Sequence, residues 1–368
     1  MYMGSTYNRG IFVVCFLFVC SYEHVWAAYR FIDFEGRPPI HILGSASTGP
    51  VGITPDIIKK IYNIPATGGS GTIAIIAAYD DSSIESDLAE FDAQFNLPEC
   101  TVKNGCFEKH PMSATIKANS GWGLETTLDV EWAHAIAPNA KILLVEATTP
   151  SGPNFIKAID YATARSTVTE VSMSWGGAEF PEEVGLDSHF TSSHPIVFLA
   201  SSGDSGSGAS WPAASPNVIA VGGTTLSLKI DGTFIKETAW KGSGGGISSY
   251  ESAPSFQSIV AIPKSLGMRA IPDVSYDADP KSGFPIVRAH VWRRVGGTSA
   301  GAPQWAAIVA LGTGVSLKQL YADKAGKHSS DYFRDITSGS NGSCGYICIA
   351  HAQYDYVTGL GSPQTVTF

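Results

Sequence analysis

The sequence predicts an α/β fold: a doubly wound, mostly parallel central sheet with helices on both faces, in a single domain. Three observations point to it. Short apolar runs recur along the chain and are continuous rather than alternating, as in strands covered on both faces. Helix-length segments lie between several of these runs, the strand–helix alternation of a parallel sheet. Finally, 368 residues with 44% hydrophobic and only 15% charged content suit a sizeable buried core under a sparsely charged surface.

In chain order, Arg9 precedes the apolar run "IFVVCFLFVC", and "VWA" ends near Ala27 with small residues at suitable offsets. Residues 1–27 read as a secretory signal, too short for a spanning helix; a buried N-terminal strand or a lipid anchor at Cys20 are the alternatives. Residues 28–50 are a mixed, Pro- and Gly-containing extended lead-in, too short for a domain with a core of its own. From "ITPDIIKKIYNIP" onward the texture is globular, and residues 51–368 are expected to form the domain. Strands are expected at "TIAIIAAY" (72–79), "AKILLVEA" (140–147), "TEVSMSW" (169–175), "PIVFLASS" (195–202) and "VIAVGGT" (218–224). "GLETTLDVEWAHAIA" and "NFIKAIDYATARS" are helix-length, and "LSLKIDGTFIKETAW" reads as a hairpin turning at Asp231-Gly232. In such sheets the functional site gathers at the carboxyl ends of the strands.

The formal net charge is −9 and there is no Lys/Arg run. This argues against a nucleic-acid or anionic-membrane partner and is compatible with work in acid. Of six cysteines, Cys15 and Cys20 fall in the signal. Cys100 with Cys106, and Cys344 with Cys348, read as short-range disulfides of an exported chain; a zinc site is the alternative, although no histidine pair stands at ligand spacing. "NGS" at Asn341 is a glycosylation acceptor in a eukaryotic host.

"RVGGTSAGAPQWAAIVALG" (294–312) places the Ser299 hydroxyl at a helix N-terminus, where it could act as a nucleophile once a base removes its proton. His134 lies on an inter-strand helix, but at about 100° per residue it falls about 180° round from Glu125, so both cannot face one cleft. Glu125 and Asp129 are four residues apart and stack on one helix face; alone, such a pair is a solvated face. Asp204, in "GDSGSG" at a strand end, is either a turn-stabilising Asp or an acid beside the nucleophile. Carboxyls converging on one serine raise one another's pKa, and one stays protonated in mild acid.

"ETTLD", "SMSWGG", "SSGDSG", "RAIPDVSYDADP", "GGTSAGAPQWAAIVAL" and "FRDITSG…YDYVTGLG", in this order, resemble the sedolisin family of serine-carboxyl peptidases from about residue 51 to the C-terminus. That family is similar in fold to subtilisin and uses a glutamate base in place of histidine. The resemblance implies that Ser299 attacks the scissile carbonyl and that Glu125 takes its proton and returns one to the leaving amine. It implies that Asp129 shares a proton with Glu125 and orients it, and that protonated Asp204 donates to the oxyanion with the Ser299 backbone N–H. It gives Ser174, Trp175 and Gly176 a substrate-pairing role by strand addition; the alternative is an ordinary strand end with a packing Trp. It also implies one structural calcium ion, held by the carboxylates of Asp335 and Asp355 and the carbonyls of Ile336, His351 and Gln353. The last two carbonyl positions are usually glycine in the family.

The resulting expectation is a secreted, acid-acting peptidase on peptide or protein substrates. It is an endopeptidase rather than a tripeptidyl-peptidase, monomeric, and free of membrane once the signal is removed. A subtilisin-type enzyme with Asp80 or Asp81 in a histidine triad lacks a His-Gly-Thr-His segment. A non-catalytic peptide-binding relative is the other alternative. Two departures from the family stand out: no full pro-domain is expected in residues 28–50, and "SGFPIVRAHVWRRVGG", short and basic, precedes the serine.

Overall fold

The structure, a computed structural model, describes residues 30–312 and 315–367 together with Met1; the segment read as a signal otherwise lies outside the described residues. β1 (Thr72–Ala78) is buried at every position, as a central strand must be. It is followed by β2 (Phe107–Pro111), β3 (Lys141–Ala147), β4 (Val168–Met173), β5 (Val197–Ser201), β6 (Val218–Leu228), β7 (Phe234–Ala239) and β8 (Val274–Asp277). The sheet order is β7-β6-β5-β4-β1-β3-β2, and β8 also pairs with β6. All pairings are parallel except β6 with β7. That exception is the expected hairpin, turning with Gly232 at φ +79°. β2 escaped the sequence reading because it is a partly exposed edge strand, "FEKHP", with no apolar run.

The longer helices are α1 (Pro55–Ile61), α2 (Ile84–Phe95), α3 (Ser120–Ile136), α4 (Gly152–Thr163), α5 (Gly301–Leu311) and α6 (Leu317–Ala325). Asn119 starts α3, its side-chain oxygen accepting from the backbone N–H groups of Gly121 and Trp122. From Trp122 to Ile136 every residue of α3 except Leu124 is buried, so the Glu125/Asp129 face is not solvated. α5 is buried from Gly301 to Ala310, and its small residues let it pack directly on α3.

The connections explain why α3 and α5 meet. From β1 through α2 to β2 the chain moves two positions towards one edge, and from β2 through α3 to β3 it moves one position back. Yet α2 and α3 pack together on one side of the sheet, with Phe91 and Trp132 rings 6.0 Å apart. The two crossovers therefore have opposite hands, and one departs from the right-handed rule. The departure seats α3 beside α5, under the carboxyl ends of the strands. His134 faces α2: its Nε2 lies 2.8 Å from the Pro98 carbonyl and 3.4 Å from Asp92 Oδ1.

The lead-in joins the fold. His41–Ser47 pairs antiparallel with Val291–Gly296, which pairs with Phe284–Arg288 in a hairpin turning through Ala289 and His290, both at positive φ. Disulfides join Cys100 to Cys106 and Cys344 to Cys348. Among the described residues, no helix is long and apolar enough to cross a membrane.

Several carboxyls are buried with no cation beside them among the described residues. Glu170 on β4 accepts from Thr169 Oγ1 at 2.6 Å, and burial pushes it up to about 8. Burial, with Glu179 nearby, pushes Glu183 up to about 9. The native state holds these protons more tightly than the unfolded chain. Their stabilisation is therefore complete below the ordinary carboxyl range and is lost as pH rises through about 8 and 9. Thermal unfolding followed by circular dichroism is expected to give falling midpoints from about pH 5 to about pH 9, with Glu170→Gln flattening the slope. Midpoints that rise over this range contradict the reading.

Candidate active site

Ser299 is fully buried in a 3-10 turn, Thr298–Ala300, that leads straight into α5. Gly297 takes φ +128°, and a Cβ there would run into the Pro39 carbonyl oxygen and lie 2.5 Å from Asp204 Oδ2. Only glycine fits both the backbone and the space. Thr298 fixes Asp204 relative to the serine: its N–H and its hydroxyl both donate to Asp204 Oδ1 at 2.8 Å. The "SSGDSG" turn after β5 thus delivers Asp204 to the serine.

Glu125 and Asp129 reach the same space from α3. Ser174 Oγ donates to Asp129 Oδ1 at 2.6 Å and lies 3.3 Å from the Ser299 carbonyl oxygen, so it ties the helix carboxyl to the serine turn. Neither oxygen of Glu125 has a hydrogen-bond partner within 3.5 Å among the described residues, although Ser299, Asp129 and Asp204 are all close enough to act on its charge. Burial first, then the charge of Asp129, hold Glu125 well above the carboxylate range, while Ser299 pulls the other way. Asp129 is raised mainly by burial, against its contacts with Ser174 and Glu125. Asp204 is also raised by burial, against His41 and Thr298. As a unit, the Glu125/Asp129 pair retains a proton in mild acid.

The Ser299 hydroxyl is not directed at Glu125. It donates to the Pro39 carbonyl at 2.5 Å. Pro39 belongs to the lead-in, which runs along a groove of about 820 Å3 lined by Gly176, Asp204, Gly206 and Ser210 on one side and Arg37–His41 on the other. Gly176 pairs with Arg37 through two backbone bonds, Arg37 N–H to Gly176 O at 3.0 Å and Gly176 N–H to Arg37 O at 3.2 Å. Of the three residues assigned to substrate pairing, only Gly176 makes such contacts. Trp175 is a buried packing residue whose indole N–H donates to Ile76 O at 3.0 Å and whose ring stacks on Phe155. The side chain of Ser174 serves Asp129.

His41, Pro39 and Thr298 were not singled out by sequence. His41 Nε2 lies 3.0 Å from Asp204 Oδ2. The Pro-Pro of "RPPIH" was the available signal, since it marks an extended backbone with no amide hydrogens to donate. Asp80 and Asp81 are committed elsewhere, to Lys109 at 2.6 Å and Arg288 at 3.2 Å.

The expected calcium ligands come together in the C-terminal loop. Gln353 N–H donates to Asp335 Oδ2 at 2.9 Å, and His351 N–H to Asp355 Oδ2 at 3.3 Å. Gln353 holds φ +76° despite not being glycine. The carbonyls of Ile336, His351 and Gln353 accept no hydrogen bond from another described residue. Two carboxylates and three unclaimed carbonyls form a hard-oxygen donor set that fits calcium. Asp335 already pairs with one cation, the buried Lys324 ammonium at 2.7 Å.

Fold and site together define a subtilisin-like scaffold that carries a serine among carboxyls. The family model for the subtilase family matches residues 112–337. The chain is 33% identical to kumamolisin of Bacillus sp. (strain MN-32), over 90% of this chain and 64% of that protein. It is 28% identical to tripeptidyl-peptidase 1 of Bos taurus, over 85% of this chain and 63% of that protein. The solved structure of Pseudomonas sedolisin, a serine-carboxyl proteinase complexed with two molecules of pseudo-iodotyrostatin, matches with a TM-score of 0.73 at 28% identity, covering 87% of this chain and 96% of that one. The chain belongs to the subtilase family and, within it, to the sedolisins. It spans just under two thirds of the length of the curated relatives it matches.

Proposed function

We propose that the chain is an acid-acting serine-carboxyl endopeptidase, exported from the cell, that hydrolyses peptide bonds in peptides and proteins. The observation that carries this reading is the convergence of one serine and three carboxyls in a single buried pocket: Ser174 ties Asp129 to the Ser299 turn, Thr298 ties Asp204 to it, and Glu125 is buried beside them. The Gly176 backbone supports the substrate side, because it binds an extended chain in the strand-addition mode. The two disulfides support export.

In this reading Ser299 Oγ bonds to the scissile carbonyl carbon as its proton passes to Glu125. The Glu125/Asp129 pair begins with one proton and one charge, and ends with both carboxyls protonated. Asp129 takes the proton that Glu125 gives up as Glu125 accepts the serine's. The carbonyl oxygen becomes the oxyanion and accepts from the Ser299 N–H and from Asp204, protonated on the oxygen not held by Thr298. One such donor contributes about 3 kcal/mol to transition-state stabilisation. The amine leaves with a proton from Glu125, and water then cleaves the acyl-enzyme by the same exchange in reverse. Ionised Asp204 would repel the oxyanion, so activity is confined to acid. We also propose that Asp335, Asp355 and the carbonyls of Ile336, His351 and Gln353 hold one calcium ion, which would brace the C-terminal loop.

Ser299→Ala is expected to abolish proteolysis of a peptide library at about pH 4, and a fluorophosphonate is expected to label Ser299 in the wild type at that pH. Unchanged acid proteolysis in the variant, or activity only at neutral to alkaline pH, sinks the assignment. Internal cuts in the library support endopeptidase action, whereas release of N-terminal tripeptides contradicts it. Ser174→Ala removes a donor that favours charged Asp129, so the pair protonates at higher pH. The acid limb of the kcat/KM profile should move up, with a loss of about tenfold in rate for one bond to a charged group. An unmoved limb argues against Ser174 as a positioning residue.

A further inference from the structure

We propose that the Lys324 ammonium is a built-in cation of the C-terminal loop: it braces the Asp335 carboxylate from inside the protein and opposes the binding of calcium there. The competition rests on the calcium reading above; the bracing of the loop by Lys324 does not.

Lys324 lies in the last turn of α6, and its side chain is only 3% exposed. A buried ammonium needs partners to offset its lost hydration. Its Nζ has two, donating to Asp335 Oδ1 at 2.7 Å and to the Leu360 carbonyl at 2.8 Å. Asp335 opens the loop and Leu360 closes it, so one side chain ties both ends together. Among the described residues, no other cationic side chain pairs with Asp335 or Asp355.

The remaining carboxylate oxygens are also met from within the chain. Asp335 Oδ2 accepts from Gln353 N–H at 2.9 Å. Asp355 Oδ1 accepts from the N–H groups of Val357 at 2.8 Å and Thr358 at 2.9 Å. Asp355 Oδ2 accepts from the Thr358 hydroxyl at 2.9 Å and from His351 N–H at 3.3 Å. The His351 ring stacks on Tyr346, with centroids 4.2 Å apart. Each carboxylate oxygen of the donor set thus has a donor in the protein, and Lys324 supplies the only full positive charge among them.

That charge sets the direction of its effect on calcium. Affinity in oxygen-ligand sites is tuned by the count of ligand charges, and Lys324 cancels one of the two carboxylate charges. An ammonium beside a divalent cation also repels it. Asp335 is 32% exposed with Lys324 buried behind it, so an ion arriving from solvent meets a carboxylate already claimed from the inside. Displacing the ammonium would strand a buried charge. A merely structural brace and a competing cation therefore give opposite results when the charge is removed: losing a brace weakens calcium binding, whereas losing a competitor strengthens it.

Calorimetric titration with calcium chloride separates the two. The full chain carrying Ser299→Ala, stripped with EDTA and dialysed, is compared with the same chain carrying Lys324→Met, both at one pH. The Lys324→Met chain is expected to bind calcium at least about tenfold more tightly. In EDTA its Gln353 and Val357 amides are expected to exchange hydrogen about tenfold or more faster than in the parent, read by mass spectrometry. Lys324→Gln replaces Lys324→Met should the latter not fold. Unchanged or weaker calcium binding without the ammonium, or equal exchange in EDTA, overturns the proposal. If neither chain takes up calcium to about 10 mM, the calcium reading fails and the competition with it; unchanged uptake by both overturns the competition alone.

Discussion

Glu125 and Asp129 lie one helical turn apart, both buried, with no basic side chain acting on either among the described residues. An isolated carboxylate in such a place costs several kcal/mol, and two cost more. The pocket meets this constraint by keeping protons rather than by importing cations. The rest of the site follows: a hydroxyl from Ser174 in place of an arginine on Asp129, and Thr298 holding one oxygen of Asp204.

The scaffold has to bring α3 against α5 for this pocket to exist. The departure from the usual crossover hand achieves it, because it places α3 on the face where α2 and α5 already pack. The sparse charge of α5 and its run of small residues then allow close approach, and Gly297 lets the chain enter the serine turn next to Pro39 and Asp204. Buried carboxyls elsewhere, such as Glu170 and Glu183, also keep their protons more tightly than free carboxyls do.

Much of this was legible in the sequence. Continuous apolar runs marked β1 and β3 to β6, because central strands must be apolar on both faces. The spacing of Glu125 and Asp129 put them on one face, and the same arithmetic removed His134. β2 was not legible, since an edge strand needs no apolar run. The seat of the lead-in was not legible either: its contacts with Gly176, Ser299 and Asp204 are long-range, and a short Pro-rich stretch carries no periodicity. The Trp175 ring fills the layer over Ile76 and Phe155, the packing role weighed for it beside main-chain pairing with substrate. His351 and Gln353 stood where glycine is usual, and Gln353 tolerates its positive φ.

The central claim is that the Glu125/Asp129 pair keeps a proton where an ordinary carboxylate would have lost it. Infrared difference spectroscopy, wild type minus Glu125→Gln, reads this directly, because only a protonated carboxyl gives a carbonyl-stretch band. A protonated-carboxyl band present in the wild type at about pH 6 and absent from the variant is the expected result. The claim is contradicted if that difference band has vanished by about pH 5, as for carboxyls titrating near their ordinary values of about 4.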